Sequence, residues 1–217
     1  MRTYDQFCPA ARALDVVGDR WTLLIVRELL NRGPCRYTDL RYGLPGIATN
    51  LLADRLRELE ANGIVVRESA PPPVATSLFR LTPRGEALDS VLQALGRWGL
   101  ALLAETPEDA EFRSHWLRFP LERELSDHAA DHPPVTIALV TADQPMLLET
   151  ADGKVRVRTG TAEHVDATLR GSPRLILGLL MGAFDLAAAR ARGLEFDGDV
   201  EALRRVQPLA VTGVSRR

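Results

Sequence analysis

The sequence predicts a chain of two parts: a mostly helical N-terminal half that contains one β-hairpin, and a C-terminal half of the α+β class. Three observations predict this division. Apolar residues recur at spacings of three and four along most of the first hundred residues. Two short extended stretches near residue 70 flank a proline-rich segment, and from residue 134 onward β-rich stretches come before helical ones. We expect domains over 1–104 and 113–217, joined by a proline-containing linker over 105–112.

The spacing of apolar residues predicts four helices before residue 63. Their expected ranges are 9–17, 21–30, 37–43 and 48–62. The residues expected to cap the first three helices are Cys8, Asp19 and Thr38. The fourth helix has a single apolar stripe, which should face the core and consists of Leu52, Leu56 and Leu59.

A β-hairpin is expected next, with strands at 64–67 and 77–81 and a tip whose prolines prevent regular pairing. Thr82 should then cap one last helix. The apolar stripe of this helix has the period of a helix–helix seam, so it packs either on its own domain or, as we predict, on a second copy of the chain. The stripe consists of Leu88, Val91, Leu95, Trp98 and Leu102. Helices followed by a hairpin and a terminal helix describe a winged helix-turn-helix.

Five short stretches of this half occur in the order typical of one family of DNA-binding proteins. They cover 8–10, 18–25, 36–40, 52–60 and 81–85, and include Cys-Pro-Ala, Gly-Asp-Arg-Trp and Arg-Tyr-Thr-Asp-Leu. Together they resemble the HxlR-type transcriptional regulators. The resemblance implies a dimeric, cytoplasmic, bacterial winged-helix protein that binds operator sites in double-stranded DNA, and we expect a repressor. The family usually opens its recognition helix with a polar residue, whereas this chain has Ala48.

The outward face of the fourth helix is expected to read bases in the major groove. That face carries Thr49, Asn50, Ala53, Asp54 and Arg57. An asparagine can pair bidentately with adenine, and a threonine methyl can contact a thymine methyl. Contacts to phosphates or the minor groove are expected from the start of the third helix and from the hairpin, namely from Arg36, Tyr37, Arg67, Thr76, Ser77 and Arg80. The alternative is that the charged residues of the fourth helix form only a solvated, salt-bridged face.

The net charge fits a DNA-binding half only after the chain is divided. The 217 residues carry a net charge of −2, which alone argues against a nucleic-acid partner. The first 104 residues carry +2 and the remainder −4. Because a surplus of +2 is small, useful DNA binding should need two copies of the N-terminal half.

The second half predicts strands at 134–140, 146–150, 155–158 and 165–169, followed by helices at 173–180, 184–192 and 199–206 gathered at the C-terminal end. The stretches 166–173 and 192–203 resemble a sterol carrier protein type-2-like domain. This resemblance implies a sheet and helices around an apolar tunnel, and hence an apolar small-molecule effector. The side chains expected to line the pocket, if they are not ordinary core, are Ile137, Leu139, Leu169, Leu175, Leu179 and Phe184.

The two cysteines suit a reducing cytoplasm. Some HxlR-type regulators sense oxidants through a cysteine at the position of Cys8, so a thiol switch and simple packing are both open for this residue, whereas Cys35 matches no family position. The four histidines suggest no ligand set, and no catalytic constellation or phosphate-binding loop is present. We therefore expect no enzyme, metal, cofactor, leader or membrane span. A lipid-binding or carrier module with a protein-interacting N-terminal half is the alternative function.

Overall fold

The computed structural model of the protein describes residues 3–69, 77–107 and 109–208. The chain divides into two compact units, Met1–Ala101 and Leu102–Arg217, close to the boundary predicted at residue 104. Each unit has its own sheet and its own buried core. Within the described residues, no helix is both long enough and apolar enough to cross a membrane.

The N-terminal unit is a winged helix-turn-helix, as predicted. Its helices are α1 (Pro9–Val17), α2 (Thr22–Arg32), α3 (Tyr37–Gly43), α4 (Thr49–Ala61), α5 (Pro83–Glu86) and α6 (Asp89–Gly99). Its strands are β1 (Cys35–Arg36), β2 (Val65–Ser69) and β3 (Ser77–Leu81). They form an antiparallel sheet in the order β1-β3-β2, in which β2 and β3 are the wing. Sequence patterning missed β1, because two residues carry no readable period.

Helix α4 buries the apolar stripe predicted for it. Leu52, Leu56 and Leu59 are all buried, and they lie on the same side of the helix as their spacing requires. The outward face of α4 is thereby fixed, and it carries the residues predicted to read bases.

Two of the predicted helix caps are wrong. Helix α2 is preceded by Trp21 in a left-handed conformation, with φ of 79°, and not by a capping Asp19. The Asp19 carboxylate instead pairs with the Arg55 side chain at 2.9 Å. Helix α3 begins after Arg36, whose backbone N–H donates to Asp39 Oδ2 at 3.0 Å, so Thr38 lies inside the helix. A carboxylate in the first turn satisfies the free amide and also suits the positive end of the helix.

The single helix predicted from Thr82 is in fact two helices. Thr82 caps α5 as predicted, and its hydroxyl accepts from the Gly85 N–H at 3.2 Å. The chain then turns before α6, and a 3₁₀ segment, Leu100–Glu105, continues from it. Leu88 therefore precedes α6 and Leu102 lies in the 3₁₀ segment, so the predicted seam does not follow one continuous helix.

The C-terminal unit has the predicted α+β architecture. Its strands are β4 (Thr136–Val140), β5 (Met146–Ala151), β6 (Lys154–Thr159), β7 (Ala167–Arg170) and β8 (Glu195–Gly198). Its helices are α7 (Arg118–Glu124), α8 (Pro173–Leu180), α9 (Leu186–Ala191) and α10 (Val200–Val206). The sheet has the order β6-β5-β4-β7-β8, with β4 and β7 parallel and the other neighbours antiparallel.

The expectation that the helices of this unit gather at its C-terminal end is wrong. Helix α7 comes before the sheet and covers the edge strand β6, where Glu122 Oε1 accepts from the Val157 N–H at 2.7 Å. This bond occupies an edge amide that would otherwise be open to another chain. Helix α9 also begins later than predicted, after a capping Asp185, so Phe184 is not helical and its ring lies directly against Gly178 of α8.

Candidate DNA-binding surface

An open groove of about 580 Å³ lies between α4, the start of α3 and the wing. Six of the residues predicted to contact DNA line it: Arg36, Tyr37, Ala53, Arg57, Arg67 and Ser77. Three of the six are arginines, and Glu60 is the one acidic residue among the described lining residues. The groove therefore presents more positive than negative charge, as a surface for phosphates requires.

The two arginines near the middle of α4 differ in what they can reach. Arg57 is 73% exposed and is paired with Asp54 on the same helix. Arg55 is only 16% exposed and is held by Asp19 and Glu58. The salt-bridged face considered as an alternative thus exists, but Arg57 remains accessible within it.

The N-terminal end of α4, which is predicted to read bases, is open to solvent. Thr49 and Asn50 are both exposed, whereas Ala53 is half-buried in the floor of the groove. Asn50 Oδ1 accepts from the Leu51 N–H at 3.0 Å, and its amide nitrogen carries two further donors. Ala48 precedes the helix without a side-chain cap. Base contact by these residues stays a prediction.

Tyr37 has a partner that sequence patterning did not reveal. Its hydroxyl donates to the backbone carbonyl of Thr49, with an O···O distance of 2.6 Å. The bond joins the first residue of α3 to the first residue of α4. No local signal in the sequence marks a contact between residues twelve positions apart.

Arg67 and Arg80, in the described strands of the wing, differ in their accessibility. Arg80 Nε donates to Glu68 Oε1 at 3.1 Å, and Arg80 Nη1 donates to the Leu81 carbonyl at 3.0 Å. The hydrogen bond from Arg80 lowers the pKa of Glu68 and raises the pKa of Arg80 itself. Arg67 is exposed and its guanidinium lies 5.8 Å from the ring centre of Phe79, on the opposite strand. Thr76, also predicted to contact DNA, lies outside the described residues.

A buried ion cluster on α2, beside the end of α3, was also missed. Glu28 of α2 has no exposed surface and pairs with Arg27 at 2.8 Å and Arg32 at 3.4 Å. Arg27 also donates to the carbonyl of Gly43, at the end of α3, at 3.3 Å. Burial lowers the pKa of Arg27. The signal was available, because Glu28 falls between apolar residues on the buried face of α2.

A row of apolar side chains lies exposed on α6 and the 3₁₀ segment after it. Trp98 is 71% exposed, and Val91, Leu95 and Leu102 are exposed as well, whereas Leu88 is half-buried. Leu92, on another side of α6, is buried in its own unit. The row is therefore not needed for the core of the N-terminal unit. Three further apolar side chains in or before α1 are also exposed, namely Tyr4, Phe7 and Leu14.

The two thiols have different environments. Cys8 is half-buried at the start of α1, in the predicted position, and its side chain makes no capping bond. Cys35 is buried in β1 with its Sγ 3.2 Å from the carbonyl of Gly33. Burial raises the pKa of Cys35 to about 12. This thiol is therefore protonated at neutral pH and poorly nucleophilic.

The residues predicted to line a ligand pocket lie in the core of the C-terminal unit. Ile137, Leu139, Leu169 and Leu179 have no exposed surface, and Leu175 and Phe184 pack against them. This is the arrangement of an ordinary core, which the sequence left open as the alternative. A pocket among them stays a prediction. Among the described residues, no group of three or more potential ligands from His, Cys, Asp and Glu could hold a metal ion.

A buried ion pair joins helix α10 of the C-terminal unit to the segment before β4. Arg205 of α10 pairs with Asp127, and the two side chains are 10% and 2% exposed. Arg205 also donates to the carbonyls of Pro133 at 2.6 Å and His132 at 3.2 Å. The hydrogen bond from Arg205 lowers the pKa of Asp127. The pair closes the segment before β4 onto α10.

Comparison with known proteins finds a family match for each half of the chain. The family described as HxlR-like helix-turn-helix matches residues 16–107, and the SCP-2 sterol transfer family matches residues 127–211. The HTH-type transcriptional regulator YvaP of Bacillus subtilis is 35% identical over 94 residues, which cover 43% of this chain and 86% of YvaP. The HTH-type transcriptional regulator YodB of the same organism is 37% identical over 92 residues, covering 42% of this chain and 81% of YodB.

One solved structure, the reduced form of YodB from B. subtilis, aligns at 33% identity with a TM-score of 0.41, covering 47% of this chain and 100% of the YodB chain. Each match to these two relatives uses less than half of this chain, but it covers most of the relative's own length. Their names describe them as transcriptional regulators. The chain belongs to the HxlR-like helix-turn-helix family of transcriptional regulators, and it carries a second region that matches the SCP-2 sterol transfer family.

Proposed function

We propose that this HxlR-type regulator binds operator DNA as a homodimer, with α4 in the major groove and the wing beside it, and represses the gene it occupies. The observation that carries the proposal is the groove between α4, α3 and the wing. Arg36, Arg57 and Arg67 come from three different elements and meet there. Three arginines from separate elements around one helix face suit a duplex, whose phosphates lie on both sides of the groove that the helix enters.

The residues of the surface divide into two roles. Arg36 and Arg67 are exposed at the two sides of the groove, where they suit phosphates. Thr49, Asn50 and Arg57 project from the outward face of α4, where their side chains suit base edges: a thymine methyl, an adenine and a guanine respectively. Asp54, beside Arg57, suits the amino group of a cytosine.

The exposed apolar row on α6 supports the homodimer. A second copy covering Val91, Leu95 and Trp98 would remove these side chains from water. Two recognition helices related by a two-fold axis would then read half-sites about 34–36 Å apart. Dimerisation also doubles the small positive charge of the N-terminal half.

Repression follows when the operator overlaps the site that RNA polymerase uses. A reporter gene placed behind the DNA upstream of this protein's own gene tests the sign. Expression should rise when the protein is absent and fall when it is restored, and the opposite response would make the protein an activator.

Control by an apolar small molecule is the second part of the proposal, and the match to the SCP-2 sterol transfer family supports it. The predicted lining residues pack against one another, so a ligand would have to separate them. It would change DNA occupancy only through different affinities for two arrangements of the dimer. Native mass spectrometry of the purified protein should detect a carried ligand as added mass that organic extraction removes. A dimer of unmodified mass that stays unchanged with added fatty acid or sterol would contradict this part.

Replacement of Asn50 by Ala tests the DNA-binding part in a titration against the upstream DNA and a scrambled duplex. We expect a loss of about 1–3 kcal/mol for the cognate site and a much smaller loss for scrambled DNA, because Asn50 contributes to base reading rather than to phosphate binding. Fluorescence anisotropy at fixed salt measures both affinities.

Replacement of Asn62 by Ala is the matched control. Asn62 follows the other end of α4, and its Nδ2 donates to the Glu58 carbonyl at 2.8 Å, outside the groove. This variant should keep the preference for the upstream DNA. Equal losses of Asn50→Ala on both duplexes would remove Asn50 from the base-reading set. A wild-type protein without any preference would favour the alternative, a carrier module with a protein-interacting N-terminal half.

A thiol switch at Cys8 stays a prediction. The half-buried position of Cys8 leaves it within reach of oxidants, whereas Cys35 is buried and protonated. If a switch exists, Cys8 is the residue that carries it.

A further inference from the structure

We propose that Tyr37 is a positioning residue for the recognition helix α4 and does not contact phosphate. Its hydroxyl bond to the Thr49 carbonyl sets the direction in which α4 enters the DNA groove. This inference rests on the proposed DNA-binding function and assigns Tyr37 a role different from the one its sequence position suggests.

The place of Tyr37 in the fold explains why it can do this. Tyr37 begins α3 directly after β1, and the neighbouring Arg36 pairs with Leu78 of the wing strand β3. The Tyr37 hydroxyl reaches the carbonyl of Thr49 at 2.6 Å. The Tyr37 side chain therefore joins the start of α3, which follows directly from the wing sheet, to the start of α4, and these are the elements that line the groove.

The number of protons on a tyrosine hydroxyl argues against a phosphate contact. A phenol has one proton to donate, and phosphate oxygens only accept hydrogen bonds. The proton of Tyr37 is already directed at Thr49, so a bond to phosphate would require the first bond to break. The Thr49 carbonyl also lies at the start of α4, where it can accept from the amide four residues later. Loss of the Tyr37 bond would therefore allow the start of α4 to change its direction while the helix stays folded.

The start of α4 needs such a restraint. Ala48 provides no side-chain cap, and Asn50 bonds only to the next residue of its own helix. Neither contact fixes how the first turn of α4 is directed relative to α3. Base reading requires side chains to be held within about 0.5 Å of their working positions. Thr49 and Asn50 lie in the turn that the Tyr37 hydroxyl holds.

Replacement of Tyr37 by Phe tests the proposal, because it removes one oxygen atom and keeps the ring. We expect affinity for the upstream DNA to fall about 3- to 10-fold, as for one lost hydrogen bond. Affinity for scrambled DNA should change less than about 2-fold, since binding to phosphates does not depend on where Asn50 points. Fluorescence anisotropy on both duplexes gives the ratio. A phosphate contact would instead weaken both duplexes equally.

Hydrogen–deuterium exchange of the free proteins provides a readout that a general loss of stability would not give. In Tyr37→Phe, the amides that bond to the carbonyls at the start of α4, those of residues 52–54, should exchange faster, while those in the middle of α2 should be unchanged. Tyr42→Phe is the matched control: it removes the same atom from the same helix, but Tyr42 does not line the groove and its ring lies 5.5 Å from the Arg32 guanidinium. This control should keep both the DNA preference and the exchange rates.

The outcomes separate the two proposals. If the wild-type protein does not distinguish the two duplexes, the proposed function itself fails. If the wild-type protein distinguishes them and Tyr37→Phe keeps the same ratio and the same exchange in α4, only the positioning role is overturned. Equal losses on both duplexes would return Tyr37 to the phosphate contacts.

Discussion

The two units of this protein differ in how much of their surface is left without a partner inside the chain. The N-terminal unit exposes apolar side chains near α1 and along α6, and it has an open groove that carries three arginines. In the C-terminal unit, the large apolar residues exposed among the described residues are Leu102 and Leu103 at its start, which continue the row on α6, and Val165. The difference indicates that the surfaces available for association are concentrated in the first unit, which is why we assign both DNA and the second copy to it.

Arginine is used differently in the two units. Arg205 is buried and makes bonds to the Asp127 carboxylate and to two backbone carbonyls. Arg57 is largely exposed and has one acidic partner, which is itself exposed. A buried, fully bonded guanidinium stabilises a structure, whereas an exposed one can exchange its partner for a phosphate or a base at little cost. Arginine therefore serves the fold where it is largely buried, as Arg205 and Arg55 are, whereas of these three binding is proposed only for the exposed Arg57.

Replacement of Trp98 by Glu should have the largest effect, because it attacks the surface that most distinguishes the N-terminal unit. Two carboxylates would be buried in the seam of a dimer, where an unpaired charge is strongly unfavourable. We expect a monomer by sedimentation velocity and affinity for the upstream DNA weaker by on the order of 100-fold or more, since each monomer binds only a half-site. Because Trp98 is 71% exposed, the monomer should remain folded.

Ser90→Glu is the control for that experiment. Ser90 is an exposed residue near the start of α6 and is not part of the apolar row. An added carboxylate is tolerated there because it suits the positive end of the helix. This variant should stay dimeric. If Trp98→Glu also stays dimeric, the row on α6 is not the interface. The exposed apolar surface of the N-terminal unit would then not explain dimerisation.

Replacement of Asp127 by Asn should act on the C-terminal unit alone. The change leaves Arg205 buried without its charged partner, which costs about 3–5 kcal/mol of unfolding free energy for a buried pair. Hydrogen–deuterium exchange should become faster in strands β4–β8 and stay unchanged in α2–α4. Glu201→Gln breaks an exposed pair with Arg204 and should change the unfolding free energy by no more than about 0.5 kcal/mol. Faster exchange in both units would show that loss of this pair destabilises both units and not the C-terminal unit alone.

The Asp127–Arg205 pair also predicts how the stability of the protein depends on pH. The pKa of Asp127 is lowered in the folded protein, so the carboxylate contributes stability above the ordinary pKa of about 3.9. This contribution is lost as the pH falls through the lowered folded value. In acid, the wild-type protein should therefore approach the stability of Asp127→Asn, and denaturant titrations between pH 6 and pH 2 would measure the convergence.

Much of the fold could be predicted from the sequence because α4, the wing and the sheet strands follow clear apolar periods. Helix α7 was missed although Leu117, Leu121 and Leu125 recur at a spacing of four, because Pro120 interrupts the pattern. A proline is tolerated in a first turn, where no intrahelical amide is required. For the candidate site, side-chain type indicated which residues point outward from α4. The bond between Tyr37 and Thr49 could not be predicted, because it depends on how two separate helices approach each other, whereas the position of Glu28 on the apolar face of α2 already indicated its burial.

Replacement of Gly43 by Ala should have the smallest effect of these three variants, and it tests whether the ion cluster around Glu28 holds the end of α3 rigidly. A Cβ at Gly43 would lie 1.8 Å from Glu28 Oε2, so the buried carboxylate would have to move. We expect a cost of about 1–3 kcal/mol, as for overpacking of a core. Gly43 lies in α3, and alanine is intrinsically better than glycine in a helix, so any net loss understates the strain.

Gly99→Ala at the end of α6 is the control for this change, since nothing lies within 4 Å of its added Cβ. That variant should be as stable as the wild type, or more stable by up to about 1 kcal/mol. Denaturant midpoints of both variants provide the measurement. If Gly43→Ala is as stable as Gly99→Ala, the carboxylate of Glu28 can move freely. In that case the ion cluster beside Gly43 does not hold the end of α3 in place, and Tyr37 must fix α4 without its support.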